Sequence, residues 1–443
     1  MSRSDETPPA LARAIVRSLT RGTTIAAGVR HVHVGHANWL AAQRELLEEV
    51  GEDGHSDTKF VRGAYGAGKS HFLGVVQDEA RDMNWVTAHL ECRADHVEID
   101  RFETLYRVLV AKLVMPGASS NEADVDPARY LLERWSDALR RAAGIRDDGI
   151  TRPFDADARI FRRLGETLHR SNLSADFVNA LTAFARARTE DDSETMVAVA
   201  RWLKADADRM SIPRRYLGKQ TALGGALPGT IPLSPIGRGN ATEAMRGLLW
   251  LIRAAGFTGL VLCIDEIEEL AKLRTRKRQD QSLQALREYV DHAGGQGSFR
   301  HLCMYLAATP DMFEGPDYFP RYDALATRIQ PVSDRLNWRG TVVDLDRTPL
   351  DEQEMLAMAR RIAAVHRIAY PATSDDALTD EYLDELISEV VASRMRVAKP
   401  RLLARIVIDQ LERARQEGGA FGTGKASTLV SDAAASILRE IDA

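Results

Sequence analysis

The sequence predicts an α/β protein with a parallel β-sheet core, a large helical insertion and an all-helical C-terminal region. Three observations lead to this prediction. Apolar, β-prone runs alternate with helical patterns, as expected when helices cover both faces of a parallel sheet. Residues 259–264 are almost continuously apolar, which is typical of a strand buried on both faces. No strand pattern follows residue 349, and helical patterns occupy the rest of the chain.

The predicted elements follow one another in a simple order. A helix over residues 9–20 leads into a short extended piece, and a second helix begins after the turn at Gly35. The stretch between the second and third strands is mainly helical and ends in a Pro/Gly-rich segment, 212–240, which predicts a long mobile loop. The predicted strands are residues 59–63, 84–93, 259–264, 301–309 and 340–345, and the C-terminal helices are 351–368, 375–391, 400–416 and 427–441.

These patterns divide the chain into four parts. We expect an N-terminal segment (1–57), a sheet core made of two separate stretches (58–93 and 242–348), the helical insertion (94–241) and the helical C-terminal region (349–443). Hydrophobic residues are 44% and charged residues 28% of the chain, which is ordinary for a folded protein.

Net charge and apolar patterning restrict the function classes. The formal net charge is −5, so no global basic field drives nucleic-acid binding, and any such binding needs local patches. No run reaches membrane-spanning length and the N-terminus lacks the apolar region of a signal peptide, which predicts a cytoplasmic protein with no membrane partner. Cys92, Cys263 and Cys303 lack metal-ligand spacing and are expected to be buried apolar residues.

Residues 63–70 (GAYGAGKS) match the phosphate-binding pattern G-x-x-x-x-G-K-[ST] between a predicted strand and a predicted helix. The glycines let backbone N–H groups turn toward phosphates, the lysine reaches the β- and γ-phosphates, and the serine hydroxyl is a ligand of Mg²⁺. We therefore predict an ATP–Mg²⁺ site. Its predicted cofactor-binding residues here are Gly63, Ala64, Tyr65, Gly66, Ala67, Gly68, Lys69, Ser70 and the following His71.

Two further strand ends complete the predicted chemistry. Asp265 follows the apolar run VLCI, where a carboxylate is suited to hold Mg²⁺. Glu266 is placed to polarise the attacking water. Thr309 ends the strand HLCMYLAAT, where its hydroxyl is suited to contact the γ-phosphate, although the position also fits a helix cap. A second glycine-rich stretch, 419–426, has Ala426 instead of the hydroxyl residue and is interpreted as a loop.

The motifs GAYGAGKSHFL, IDEIEEL, AATPDMF, YDALATRI and KPRLLARIVIDQL occur in the order seen in AAA+ ATPases, and within them the sequence resembles the branch that holds the replication-origin initiators. With RAIVRSLTRGTT and VHVGHANWL, it more narrowly resembles the ATP-binding proteins of bacterial BREX phage-defence systems, the BrxC/BrxD type. The resemblance covers residues 10–92 and 242–415.

The resemblance implies roles for further residues and makes the C-terminal helical region a lid. Arg328 matches the position of an arginine finger that acts on ATP bound by a neighbouring subunit, with Arg335 as the alternative. Arg401 matches a lid arginine that reaches the γ-phosphate in the same subunit. Val34 and Gly35 match the segment that lines the adenine pocket.

Two groups of polar residues have less specific interpretations. His31, His33 and His36 are interpreted as residues near the nucleotide pocket rather than as metal ligands. A basic segment after the Asp-Glu strand either contacts DNA phosphates or is a solvated charged loop. Its residues are Lys272, Arg274, Arg276, Lys277 and Arg278.

The leading interpretation is an ATP-hydrolysing AAA+ switch or motor in phage defence. We expect it to assemble with itself or with other defence-system proteins, among them a helicase, and to act with DNA. The alternatives are an initiator- or helicase-loader-like DNA-bound ATPase outside defence, and a slow STAND-type signalling NTPase. The long insertion and the little room after residue 416 for a winged helix depart from the initiators.

Overall fold

The fold is given by a computed structural model. It describes residues 7–25, 27–92, 98–117, 126–145, 153–168, 171–206, 208–218, 228–273, 275–293, 299–330, 335–371, 378–393, 397–417 and 425–442.

All five predicted strands are present and form one sheet with the order β2-β5-β6-β1-β7. The pairs β1–β7 and β2–β5 are parallel, and their registers join Arg62 to Asp344 and Glu91 to Asp265. Strands β5 and β6 are buried along their whole length, which agrees with their apolar sequences. The strands are β1 (Ser56–Arg62), β2 (Val86–Glu91), β5 (Leu260–Asp265), β6 (Leu302–Ala308) and β7 (Val342–Asp344).

Helices account for most of the remaining described chain. No helix in the described ranges is long and apolar enough to cross a membrane. The helices are α1 (Pro9–Arg21), α2 (Ala37–Asp53), α3 (Lys69–Asp82), α4 (Phe102–Ala111), α5 (Pro127–Ala142), α6 (Pro153–Leu168), α7 (Ala175–Thr189), α8 (Ser193–Leu203), α9 (Ala241–Ala254), α10 (Arg276–Ala293), α11 (Pro310–Glu314), α12 (Asp323–Ile329), α13 (Glu352–Ala369), α14 (Asp380–Ala392), α15 (Lys399–Glu417) and α16 (Ala426–Asp442).

The chain divides into two compact units, and β1 and β6 each contribute residues to both. The first, which we call the P-loop unit, comprises Met1–Leu46, Lys59–Glu79 and Leu306–Ala443. The second, the insertion unit, comprises Leu47–Thr58 and Ala80–Tyr305. The four-part division expected from the sequence stays a prediction.

In the P-loop unit, the N-terminal helix packs into the C-terminal helices. Helix α1 contacts α13 and α15 through a buried face that includes Ile15 and Val16. Helix α13 begins with a capping box, in which Asp351 accepts from the backbone N–H of Glu354 and Glu354 accepts from that of Asp351. Helices α13–α16 contact one another, so the C-terminal helices form a bundle that includes α1.

The insertion unit holds the helices between β2 and β5. Helices α5–α8 contact one another, and their buried aromatic side chains include Trp135, Phe177 and Trp202. The prediction of a loop over 212–240 is wrong for residues 212–213 and 230–233, which lie in strands. Strands β3 (Met210–Pro213) and β4 (Thr230–Leu233) pair antiparallel, because alternating side chains bury Met210, Ile212 and Leu233. Residues 219–227 lie outside the described part of the chain.

A buried arginine joins three segments of the insertion unit. The Arg186 side chain is fully buried, and its guanidinium donates to both carboxylate oxygens of Asp157 at 2.8 and 2.9 Å. It also donates to the carbonyl oxygens of Tyr216 and Gly218 at 2.7 and 2.6 Å. All of the partners are acceptors that lose their donor if the guanidinium is removed.

We therefore expect Arg186→Ala to destabilise the insertion unit by about 3–5 kcal/mol, because it leaves a buried carboxylate and two carbonyl groups unpaired. Thermal melting measures the effect. The matched control is Arg188→Ala, on the same helix, whose ion pair with Asp137 at 2.8 Å is partly exposed and is expected to contribute about 1 kcal/mol or less. Equal losses in the two variants would contradict this assignment.

Candidate functional site

The glycine-rich loop lies between β1 and α3, as the sequence predicts. Gly66 and Gly68 have φ values of 79° and 97°, in the region that favours glycine. A Cβ atom on Gly68 would meet nothing within 4 Å, so the space beside this residue is open. Helix α3 begins at Lys69 and directs its first backbone N–H groups toward the same loop. Such a loop at a helix N-terminus is suited to bind an anion.

Lys69 is held against its own loop. Its side chain is buried, and Nζ donates to the carbonyl oxygens of Gly63 at 2.9 Å and Ala64 at 3.3 Å. A Cβ atom on Gly63 would lie 3.1 Å from that of Ala67 and 3.2 Å from Cγ of Lys69, so glycine permits this close packing. Ser70 and His71 follow in the first turn of α3.

Asp346 contacts the loop and was not predicted as a site residue. Both of its carboxylate oxygens lie 3.0 Å from the backbone nitrogen of Ala64, which donates to them. Asp346 follows β7, the strand that pairs with β1, so both strand ends reach the loop. The sequence signal is the acidic pair in VVDLD, which the strand-end argument used for Asp265 also fits.

Arg401, the predicted lid arginine, lies on the loop. It is in the first turn of α15, and its guanidinium stacks over the ring of Tyr65 at 5.0 Å from the centroid. A Cβ atom on Gly66 would lie 3.2 Å from Cδ of Arg401 and from Cβ of Ala398. The start of α15 therefore packs directly on the glycine-rich loop.

Three more of the predicted residues, Thr309, Arg328 and Arg335, lie in the part of the P-loop unit that follows β6. Thr309 occupies the N-cap position of α11, but its side chain makes no capping hydrogen bond. Arg328 is half-buried in the last turn of α12. Arg335 is exposed and follows 331–334, which lie outside the described residues. The roles assigned to these three residues stay predictions.

Val34 and Gly35 line a cavity of about 340 Å³ within the P-loop unit. Gly35 has a φ of 74°, and a Cβ atom there would lie 2.4 Å from Cδ2 of Leu350, so only glycine fits without displacement. The cavity is lined by His33, Val34, Gly35, Ala37, Leu40, Ala41, Arg44, Glu79 and Arg361.

Three histidines cluster behind this segment. Nδ1 of His33 lies 3.0 Å from Nε2 of His71, and His36 packs edge-on against Phe72. Burial is the main cause that lowers the pKa of His33 to about 4 and that of His71 to about 3, with neighbouring histidines lowering both further. His31, by contrast, bonds Thr7 at 2.9 Å. No group of three or more metal-binding side chains occurs in the described ranges.

The Asp-Glu motif belongs to the insertion unit and has an unusual backbone. Asp265 is buried at the end of β5, and its Oδ1 accepts from the backbone N–H of Glu266 at 2.8 Å. Glu266 has a φ of 57°, which is rare for a residue other than glycine. Burial, and then the charge of Asp265 and that of Glu91, raise the pKa of the Glu266 carboxyl. The carboxyl is therefore more basic than an exposed glutamate.

His89 is a second residue that the sequence analysis missed. His89 and Glu91 lie on β2, which is the neighbour of β5. Nε2 of His89 lies 3.7 Å from Oδ2 of Asp265 and 4.0 Å from Oε1 of Glu91. The run NWVTAHLECR indicated only a strand, and the pairing of β2 with β5, which brings His89 near Asp265, has no local sequence signal.

The basic segment is partly neutralised within the insertion unit. Lys272 pairs with Glu269 at 2.7 Å, and Arg278 pairs with Glu98 at 2.9 Å. Arg276 and Lys277 begin α10, and Arg274 lies outside the described residues. The segment therefore presents less net positive charge than its sequence indicates.

The parallel sheet and the G-x-x-x-x-G-K-S loop between β1 and α3 define a P-loop nucleotide-binding protein. The family model of the BREX system ATP-binding protein BrxC/D matches residues 8–422, and the chain belongs to that family. This confirms the narrower resemblance found in the sequence. It makes the protein an ATP-binding member of a phage-defence system. A comparison with curated proteins gave no match.

Substitution of Asp346 separates its hydrogen bond from its charge. We expect Asp346→Ala to bind inorganic tripolyphosphate about fivefold more weakly than Asp346→Asn, because both variants lack the charge and only alanine lacks the acceptor that orders Ala64, a bond that contributes about 1 kcal/mol. Asp346→Asn keeps an acceptor and removes a negative charge near the anion, so its affinity should equal or exceed that of the wild type. Titration calorimetry measures both. Tighter binding by Asp346→Ala than by Asp346→Asn would contradict the proposed role.

The left-handed backbone of Glu266 leads to a second prediction. Glu266→Gly should be more stable than Glu266→Ala by about 1 kcal/mol, because alanine bears the cost of the left-handed conformation and glycine does not. Melting temperatures of the two variants measure the difference, and both lack the carboxylate, so charge effects cancel. Equal melting temperatures would show that the left-handed backbone is not strained.

Proposed function

We propose that this chain is an AAA+ ATPase that hydrolyses ATP in phage defence, as a switch or motor acting with other proteins of the same system. The observation that carries the proposal is the conformation of residues 63–70. Two glycines in the left-handed region open a cradle at the start of α3, and Lys69 is held at its edge. Membership of an ATP-binding family supports ATP as the ligand.

The chemistry of the residues present supports a Mg²⁺–nucleotide ligand. The space beside Gly68 is open, and Lys69 would exchange its two carbonyl partners for phosphate oxygens. Ser70 and the buried Asp265 are the oxygen ligands that would hold Mg²⁺, in keeping with its preference for hydroxyl, carboxylate and water oxygens. When bound, the metal would neutralise the negative charge that develops on the phosphoryl oxygens.

Glu266 would orient and deprotonate the attacking water. Its raised pKa increases its basicity, and its left-handed backbone is the kind of strain that occurs at functional sites. Thr309 would contact the γ-phosphate from the end of β6.

Arginines would add positive charge from two directions. The packing of Arg401 on Tyr65 and Gly66 supports action within the same subunit, through a lid formed by the C-terminal helices. Arg328, or Arg335 in its place, would act on a neighbouring subunit, so full activity requires an assembly. Self-association and partner binding are parts of this proposal, and DNA contact through Arg276 and Lys277 is a further part.

The proposal is tested by phosphate release from ATP. We expect Mg²⁺-dependent turnover by the wild type and a loss of at least about 100-fold in Glu266→Gln, with ATP affinity changed less than about threefold. Lys69→Ala should lose both binding and turnover. The matched control, Glu268→Gln, makes the same chemical change two residues further on and should retain turnover.

The outcomes separate the competing functions. Stimulation of the wild type by duplex DNA, reduced in an Arg276→Ala/Lys277→Ala variant, would support a DNA-engaged motor, whereas indifference to DNA would favour a protein-partnered switch. Tight ATP binding with no turnover under any condition would contradict the motor and leave a single-use switch. Absence of ATP binding would overturn the proposed function.

A further inference from the structure

A hydrogen-bonded chain of two histidines joins the glycine-rich loop to the wall of the cavity. His71 follows Ser70 in the first turn of α3, and its Nε2 lies 3.0 Å from Nδ1 of His33. Nε2 of His33 lies 3.1 Å from the carbonyl oxygen of Gly35. The chain therefore runs from the residue after Ser70 to the backbone of the segment that lines the cavity.

The acceptor at one end fixes the direction of both bonds. The Gly35 carbonyl can only accept, so Nε2 of His33 carries the proton. Nδ1 of a neutral His33 is then an acceptor, and Nε2 of His71 must donate to it. His33 is neutral at pH 7, because burial lowers its pKa to about 4. The two hydrogen bonds therefore run in one direction, from His71 through His33 to the carbonyl oxygen of Gly35.

The same segment is held from the other side by helix α13 and the turn before it. The guanidinium of Arg361 donates to the carbonyl oxygen of His33. Leu350 and Glu354 lie so close to Gly35 that a Cβ atom there would be 2.4 and 3.0 Å from them. The backbone of 33–35 is therefore fixed between α3 and α13, and it has little freedom to move without breaking one of these contacts.

The cavity wall that this backbone forms is partly apolar. Val34, Ala37 and Leu40 line it, and the charged side chains Arg44, Glu79 and Arg361 line another part, so a base could bind against the apolar part. Backbone N–H and C=O groups of a fixed segment can distinguish bases, because the purines differ in the donors and acceptors on their edges. Which base fits then depends on where the backbone is held.

We propose that His33 and His71 are positioning residues that set the base specificity of the nucleotide site, by holding the Val34–Gly35 backbone relative to the first turn of α3. This inference rests on the proposed function, since it takes the ligand of the glycine-rich loop to be a purine nucleotide. It assigns the two histidines to base selection and not to phosphate binding.

The experiment compares three ligands: ATP, GTP and inorganic tripolyphosphate. Affinities are measured by titration calorimetry in the Glu266→Gln background, so that nucleotides are not consumed. We expect His33→Phe and His71→Phe each to reduce the preference for ATP over GTP at least tenfold, while the affinity for tripolyphosphate stays within threefold.

Three further variants are informative. The amide of His71→Gln can donate from the position of Nε2, so this conservative variant should retain most of the preference. His31→Phe is the matched control, because His31 bonds Thr7 rather than His71, and it should retain all of the preference. If the Phe variants at 33 and 71 melt below the assay temperature, His33→Asn tests the same link. Its shorter side chain can accept from His71 but does not reach the Gly35 carbonyl, so it should lose the preference.

The results that would overturn this inference differ from the result that would overturn the proposed function. An unchanged ATP-to-GTP ratio in the Phe variants, or in His33→Asn where the Phe variants melt, would overturn the inference. So would an equal loss for all three ligands, because that pattern shows general damage to the site. A parent protein that binds ATP and GTP equally also overturns it. A parent that binds neither nucleotide nor tripolyphosphate overturns the proposed function itself.

Discussion

The P-loop unit depends on one constraint, which is that the loop between β1 and α3 must hold its backbone N–H groups toward open space. A loop that keeps donors for an anion needs partners for its other polar groups. Lys69 satisfies the carbonyl groups of Gly63 and Ala64, and Asp346 accepts from the N–H of Ala64. The φ values of Gly66 and Gly68 allow this arrangement without steric cost.

The Asp-Glu motif shows a different balance between stability and chemistry. Asp265 is buried with its carboxylate partly satisfied by the backbone of the next residue, and Glu266 adopts a left-handed backbone beside it. Both features are unfavourable in isolation, because a buried carboxylate is poorly solvated and the left-handed region crowds the Cβ atom. Burial of Glu266, and then the charge of Asp265, raise the pKa of the Glu266 carboxyl, which suits the role of base proposed for it.

The sequence predicted what depends on local patterns. The five strands, the glycine-rich loop and the Asp-Glu motif each have a signature within about ten residues. Asp346 and His89 were missed because their importance comes from strand pairing, which brings them to Ala64 and Asp265 across long sequence separations. The β3–β4 pair was missed because each strand is only four residues long. The high Pro/Gly content around them indicated a loop more strongly than so short an alternation of side chains indicated a strand. The ion pair of Arg278 in the basic segment has no local sequence signal, because its partner Glu98 lies far away in the sequence.

Contacts of the loop and its helix explain why the C-terminal helices and the P-loop belong to one unit. Three separate segments meet them: the backbone at His33–Gly35 through His71, Asp346 through Ala64, and Arg401 through Tyr65. Two of these segments are tied in turn to the helical bundle, since Arg361 of α13 holds His33 and Arg401 begins α15. A displacement of the loop backbone would therefore change contacts with both helices. Helix α1 packs on the same two helices, so its contacts with them would change as well.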